Sequence, residues 1–254
     1  MKNLESKILE INKKTEEISE FVLWFAEKFE FQNWQFLTID IPQKKIIERN
    51  WEKIEKEIFV KRAYSIVDVK FNEKNNSWKI FLWIKNVNWI WTSYLFSRKI
   101  WEKLNIKTSF WNFFVKWEKE NLFFLATWIW IPPIISHLKK IFEQEKNFFE
   151  KKKIFLSYWI RKKENFFIWK ILEKFSEENK NFSYKIFFSR EDEKISEENK
   201  NFEKWYCTEF LKNKNLDFKN SEFYFCWSVP LMKEIWEKLE KYWVWKEDFI
   251  FEAY

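Results

Sequence analysis

No glycine occurs among the 254 residues, whereas tryptophan occurs nineteen times. Glycine ordinarily supplies about 7% of a globular chain, close to the share that nineteen residues make here. Without it, a chain lacks the residue that takes left-handed geometry at turns and helix ends without steric cost. Cysteine is nearly as scarce: Cys207 and Cys226 are too few for a disulfide framework, a metal cluster or a four-cysteine iron–sulfur centre. No apolar run reaches the roughly 20 residues of a bilayer-spanning helix. The opening MKNLESKILEIN lacks the charged-then-apolar layout of a signal peptide. The single histidine, His137, reads as structural. These absences predict a reduced, cytoplasmic protein with no membrane segment.

The tryptophans stand where glycines belong. Trp243 and Trp245 follow the helical run Met232 to Tyr242, where a left-handed residue is expected. Trp101 precedes Glu102 and Lys103 in an expected tight turn, and Trp128 and Trp130 interrupt a strand-to-helix junction. Left-handed geometry costs a non-glycine residue about 1–2 kcal/mol, and overpacking adds about 1–3 kcal/mol. About ten such sites would exceed the roughly 5–15 kcal/mol that holds a domain folded. The pattern implies an opal codon read as tryptophan in a gene whose host reads it as glycine. Trp24 and Trp83, inside strand-like segments, are the foremost candidates for true tryptophan. The alternative is a genuinely tryptophan-rich chain, whose mark would be tryptophans packed as core.

The remaining composition, 46% hydrophobic and 33% charged, is that of a soluble globular protein. A net charge of +7 suits solubility, or an acidic partner, nucleic acid or membrane surface; lysines and glutamates are interspersed, and Lys151 to Lys153 reads as a solvated turn. Residues 6–11, 18–25, 35–41, 62–69, 79–87 and 104–108 read as short strands with little helical period, as in an antiparallel β-barrel. Beyond Lys116, strands at 122–126, 154–158, 184–189, 223–226 and 249–252 alternate with helices at 132–148, 163–175 and 230–242. That alternation predicts a parallel α/β sheet, and two domains over 1–117 and 118–254.

Several strings carry candidate chemistry. In FLATWIWIPP, residues 124–133, glycine at 128 and 130 would give strand, Thr127, Gly-x-Gly, helix, a layout that brings backbone amides to a pyrophosphate. A plain strand-to-helix turn reads equally well from the string alone. Arg62-Ala63-Tyr64-Ser65 offers a guanidinium, an aromatic face and a hydroxyl, with Arg62 and Tyr64 on one face of a strand. A half-buried strand with a surface arginine is the other reading. Cys226 alone reads as a small buried hydrophobe, and Cys207 as packing.

In order along the chain, these strings resemble the ferredoxin–NADP reductase family. Asn33-Trp34-Gln35-Phe36 is similar to its Pro-Gly-Gln-Phe, with Asn in place of Pro. Arg62 to Ser65 resembles its Arg-x-Tyr-Ser/Thr flavin motif, Trp89 to Leu95 its Gly-x-x-Thr-Ser motif, and Trp111-Asn112-Phe113 its Gly-x-Phe. Tyr158 to Arg161 resembles Tyr-Gly-x-Arg, Ser189-Arg190 a Ser-Arg pair, Lys204-Trp205-Tyr206 a Lys-x-Tyr, and Cys226 to Met232 a Cys-Gly-x-x-x-Met segment. Trp34, Trp89, Trp111, Trp128, Trp130 and Trp227 all fall where that family has glycine.

The resemblance implies an FAD-binding barrel followed by an NADP-binding domain. It assigns FAD to Arg62, Ala63, Tyr64, Ser65, Trp91, Thr92, Ser93, Thr127 and the terminal aromatic Tyr254. It assigns NADP(H) to Thr127, Arg161, Ser189, Arg190, Lys204, Tyr206 and Cys226, and places Ser65, Cys226, Glu252 and Tyr254 at the reacting centre. It further implies hydride transfer between NADPH and FAD, electron transfer to ferredoxin or flavodoxin, and a monomer with no nucleic-acid partner. Two rivals stay open: an NADH-dependent reductase component for another acceptor, and a basic, aromatic-rich nucleic-acid-binding protein. A dihydroorotate dehydrogenase electron-transfer subunit, which needs an iron–sulfur domain, is disfavoured by the two cysteines.

Overall fold

The structure, a computed structural model, describes residues 2–26, 35–49, 52–110, 116–192, 194–204, 211, 217–227 and 229–253. The chain divides into two compact units, Met1–Trp111 and Asn112–Tyr254.

The first unit is a closed antiparallel barrel of β1 (Lys2–Lys13), β2 (Ile18–Phe25), β3 (Phe36–Arg49), β4 (Glu52–Asn72), β5 (Ser77–Lys85) and β6 (Lys103–Phe110), in the order β1-β2-β5-β4-β3-β6. Alternation dictates which face is inside: Leu37, Ile39 and Ile41 are buried while Phe36, Thr38 and Asp40 are only partly covered. With Leu4, Ile8, Phe21, Leu23, Ile66 and Leu82 they form the barrel core.

Two features go beyond the sequence expectation. β3 and β4 stay paired as far as Arg49 and Glu52, so the expected strands 35–41 and 62–69 are only the barrel-bound parts of a longer hairpin. Its outer part exposes Ile46, Ile54 and Phe59 among mixed charges. In addition, α1 (Ile90–Phe96) follows β5. The Thr92 hydroxyl accepts from the Trp89 amide at 3.2 Å and donates to the Trp89 carbonyl at 3.1 Å, fixing its first turn.

The second unit is a six-stranded parallel sheet ordered β10-β9-β8-β7-β11-β12. Its strands are β7 (Asn121–Thr127), β8 (Lys153–Ile160), β9 (Phe182–Phe188), β10 (Phe202–Lys204), β11 (Ser221–Trp227) and β12 (Phe249–Ala253). β7 is buried at every residue, as a strand covered on both faces must be. Helices α2 (Pro132–Lys139), α3 (Lys146–Phe149), α4 (Trp169–Glu178), α5 (Ile195–Glu198) and α6 (Val229–Glu240) complete the unit. Ile235 and Leu239 of α6 pack with Phe223 and Phe225 of β11.

Three expectations need correction. The helix expected over 132–148 is broken: Lys140–Gln144 widens into a π turn, closed by the Glu145 amide on the Lys140 carbonyl at 2.9 Å, before α3 resumes. The helix expected over 163–175 starts only at Trp169, because Lys163–Asn165 forms a 3₁₀ turn held by the Glu191 carboxylate on the Lys163 amide at 2.8 Å. Trp245 is extended, with φ −77° and ψ 149°, not left-handed. By contrast, Trp101, Trp117, Trp128 and Trp243 have φ of 72°, 64°, 43° and 63°. The other positive-φ residues among those described are Asn76 and Asn88.

Candidate functional site

In the barrel, β4 sets Arg62, Tyr64 and Ile66 on one face, opposite Ile39 and Leu37 of β3. Ile66 lies in the core, and Tyr64 packs against that core, as does Trp91 of α1. The Arg62 guanidinium lies 4.1 Å from the centre of the Trp91 ring, a cation–π pair. Burial pushes the Tyr64 phenol well above its ordinary pKa, with the Arg62 charge opposing, and its buried hydroxyl has no hydrogen-bond partner among the described residues. A buried unsatisfied hydroxyl is costly in itself and fits a partner supplied by a ligand. Ala63 is exposed, Ser65 half-buried and Ser93 exposed, while the Thr92 hydroxyl is already engaged by backbone at Trp89.

In the sheet, the expected nucleotide residues gather at the carboxyl ends of the strands. Thr127 closes β7, Arg161 follows β8, Ser189 and Arg190 follow β9, Lys204 closes β10, and Cys226 lies near the end of β11. The strand order runs outward from β7 through β8 and β9 to β10, then resumes on the other side of β7 with β11. The sheet therefore reverses between β7 and β11, where Ala126 pairs with Cys226. Open α/β sheets bind ligands in the crevice outside the strand ends at such a reversal. Thr127 and Cys226 are both buried there. Arg161 and Arg190 are exposed, and the Arg190 amide donates to the Arg161 carbonyl at 2.9 Å, tying the two ends together.

The turn after β7 is fixed by backbone contacts. The buried Tyr158 hydroxyl donates to the Trp128 carbonyl at 2.8 Å, and burial alone pushes that phenol far up. Trp128 begins a 3₁₀ turn, and Pro132 and Pro133 open α2. The Arg161 guanidinium sits 4.8 Å from the Trp128 ring centre.

Sequence reasoning missed the fully buried Glu222. Its carboxylate accepts from the amides of Trp117 at 3.2 Å, Glu118 at 2.7 Å and Lys119 at 3.1 Å, and from the Tyr224 hydroxyl. The only sequence signal was a carboxylate inside an otherwise apolar strand. Tyr206, Tyr254, Cys207, Trp34 and Trp111 lie outside the described residues, as does the side chain of Glu252, whose backbone pairs with Cys226.

Comparison with known proteins accords with this fold. Residues 119–223 match the family described as the ferric reductase NAD binding domain. No curated protein matches the sequence. Among solved structures, the flavohem-like FAD/NAD binding domain of nitric oxide dioxygenase from Vibrio cholerae is 14% identical with a TM-score of 0.75, covering 99% of this chain and 98% of that one. A ferredoxin NADP+ reductase from Neisseria gonorrhoeae with bound FAD and NADP is 17% identical, with a TM-score of 0.73 over 100% and 99% of the two chains. Ferredoxin–NADP+ reductase from Plasmodium falciparum is 18% identical, with a TM-score of 0.68 over 99% and 96%. The chain has the two-domain fold of the flavin- and NAD(P)-binding reductases. No described helix is long and apolar enough to cross a membrane.

Proposed function

We propose that the chain is a cytoplasmic, monomeric flavoprotein reductase that moves a hydride between NADP(H) and FAD and exchanges single electrons with ferredoxin or flavodoxin. One observation carries this reading: Arg161, Ser189, Arg190 and Lys204 follow one another at the carboxyl ends of β8, β9 and β10, three adjacent strands on one side of the sheet's reversal. Bound FAD would supply the redox chemistry, linking a two-electron donor to a one-electron carrier.

The chain's own residues position that chemistry. Arg62 would hold the FAD pyrophosphate, Tyr64 would offer its ring face and its orphan hydroxyl to the flavin, and Ser65 would supply a hydroxyl to the flavin ring. Ala63, Trp91 and Ser93 would serve the FAD phosphates, and Thr92 fixes the first turn of α1, which carries Trp91 and Ser93. By the same family resemblance, Thr127 and Cys226 would serve the nicotinamide, and Glu252 and Tyr254 would serve the reacting centre. Arg161 would hold the nucleotide pyrophosphate, while Ser189, Arg190, Lys204 and Tyr206 would hold the 2′-phosphate and adenine. The net charge of +7 steers an acidic carrier toward the protein.

The absorbance spectrum of purified protein titrated with FAD tests the reading, with a bound flavin expected. A colourless product indifferent to FAD overturns it. The match to a ferric reductase NAD binding domain favours a second reading, an NADH-dependent reductase for another acceptor. A kcat/KM ratio for NADPH over NADH near one would select it.

A further inference from the structure

Fifteen tryptophans lie in described segments, the other four being Trp34, Trp51, Trp111 and Trp205. Four of the fifteen have positive φ. Only a few per cent of non-glycine residues do, and the exceptions concentrate in Asn and Asp. Tryptophan gains nothing local there, since its side chain cannot mimic a backbone turn as Asn can. The four share no other environment. Trp101 lies in the Lys99–Glu102 turn, and Trp243 follows α6 at 73% exposure. Trp117 packs on Phe149, and Trp128 stands over Arg161. What unites them is backbone geometry alone. Trp83 makes the contrast: in β5 it is 6% exposed, and its Nε1 donates to Glu20 at 3.0 Å.

We infer that the functional polypeptide carries glycine at positions 101, 117, 128 and 243, where this sequence has tryptophan, and keeps tryptophan at 83. At position 128 the consequence reaches the site. The Arg161 guanidinium lies over the Trp128 ring, and glycine there removes that contact and leaves the guanidinium more open to an anionic ligand, while Tyr158 still holds the turn through the residue's carbonyl. This last step rests on the nucleotide-binding reading; the assignment of glycine does not.

Paired glycine and alanine variants at each of the four positions separate backbone from side chain, because both remove the ring and only alanine keeps Cβ. Glycine should raise the melting midpoint over alanine by roughly 1–4 °C per site. At Trp236, inside α6, the order should reverse. Alanine equal to or better than glycine at the four positions overturns the inference. If the tryptophan chain does not fold, circular dichroism compares the fourfold glycine chain with the fourfold alanine chain: more ordered structure with glycine supports the assignment, and equal or less refutes it. Mass spectrometry of the tryptic peptide ending at Lys139, from protein isolated from the cells that make it, reads the residue at 128 directly: glycine is expected, and tryptophan there refutes the assignment. Calorimetric titration with NADP+ isolates the second step. Trp128→Gly should tighten binding by about tenfold, and Arg161→Ala should remove that gain. Glycine preference with unchanged NADP+ affinity would uphold the glycine assignment and overturn the nucleotide role of Arg161.

Discussion

Tyr224 and Glu222, two residues apart on β11 and hydrogen-bonded to each other, between them receive four successive backbone amides. The Tyr224 hydroxyl takes that of Lys116 at 3.0 Å, and the Glu222 carboxylate takes those of Trp117, Glu118 and Lys119. Lys152 holds the same segment from its carbonyl side, at 2.7 Å from both Trp117 and Lys119. The stretch leading into β7, the strand that carries Thr127, is thus fixed through side chains rather than a ladder.

Glu222→Ala is therefore expected to be severe. It strands three amides, each worth about 1–3 kcal/mol when left unsatisfied, so the loss should be about 3 kcal/mol or more. Tyr224→Phe removes one acceptor and should cost about 1 kcal/mol. Urea unfolding of the two variants measures the difference, and a loss below that of Tyr224→Phe for Glu222→Ala would show that water replaces the carboxylate.

The orphan hydroxyl of Tyr64 gives a prediction with a sign change. Without ligand, Tyr64→Phe deletes an unsatisfied buried polar atom and should be neutral or stabilising by up to about 1 kcal/mol. On the proposed FAD site the hydroxyl would gain a partner, so the same variant should weaken FAD about five- to tenfold. Arg62→Ala should weaken it more, about tenfold or beyond, through loss of a charge-assisted contact. Denaturation with and without FAD reads both effects; a Tyr64→Phe variant destabilised equally in the two conditions would assign the hydroxyl a purely structural role.

Two carboxyls answer acid with opposite signs. Burial pushes the Glu20 carboxyl up, but hydrogen bonds from Trp83 and Lys14 outweigh it and leave the group below its ordinary value. Its contribution is present above the unfolded pKa and lost as pH falls through the folded one. Burial raises the Asp248 carboxyl, and the Lys119 ammonium at 3.5 Å only partly offsets this. Its contribution is present below the unfolded pKa and lost as pH rises through the folded one. Glu20→Gln should therefore lose stability at about pH 7 and regain parity near about pH 3. Asp248→Asn should gain on the parent across the same rise. Denaturant midpoints at both pH values test this, and parallel profiles for parent and variants would contradict it.

The sequence was most legible where one period or one apolar run determined structure. Leu37, Ile39 and Ile41 alternate into the barrel, and β7 is apolar from Leu122 to Ala126, so both strands were plain from the residue pattern alone. α1 has only seven residues, too few for a helical period to register. The outer β3–β4 hairpin pairs mixed charges such as Lys44 and Glu55 and carries no buried face to reveal it. The start of α4 was hidden because a loop contact from Glu191, distant in sequence, sets it. The strand-end residues Arg161, Ser189 and Arg190 were legible as motifs. Glu222 was not, because the backbone amides it receives are 103 to 105 residues away.

The cofactor preference can be tested at Arg190 without disturbing the fold. Its side chain is exposed, and its amide, bonded to the Arg161 carbonyl at 2.9 Å, survives truncation to alanine. Ser189 is anchored likewise, through its amide on the Ile160 carbonyl at 3.1 Å. Arg190→Ala should thus leave the melting midpoint unchanged and remove one charge-assisted contact to a 2′-phosphate, worth about 1.5–3 kcal/mol. That is about 10- to 100-fold in kcat/KM for NADPH. NADH, lacking the phosphate, should change by no more than about twofold on the same argument. Steady-state rates with both nucleotides give the ratio directly. A parallel loss with NADH would mean that Arg190 meets a part common to both nucleotides, and would leave the 2′-phosphate to Lys204 and Tyr206.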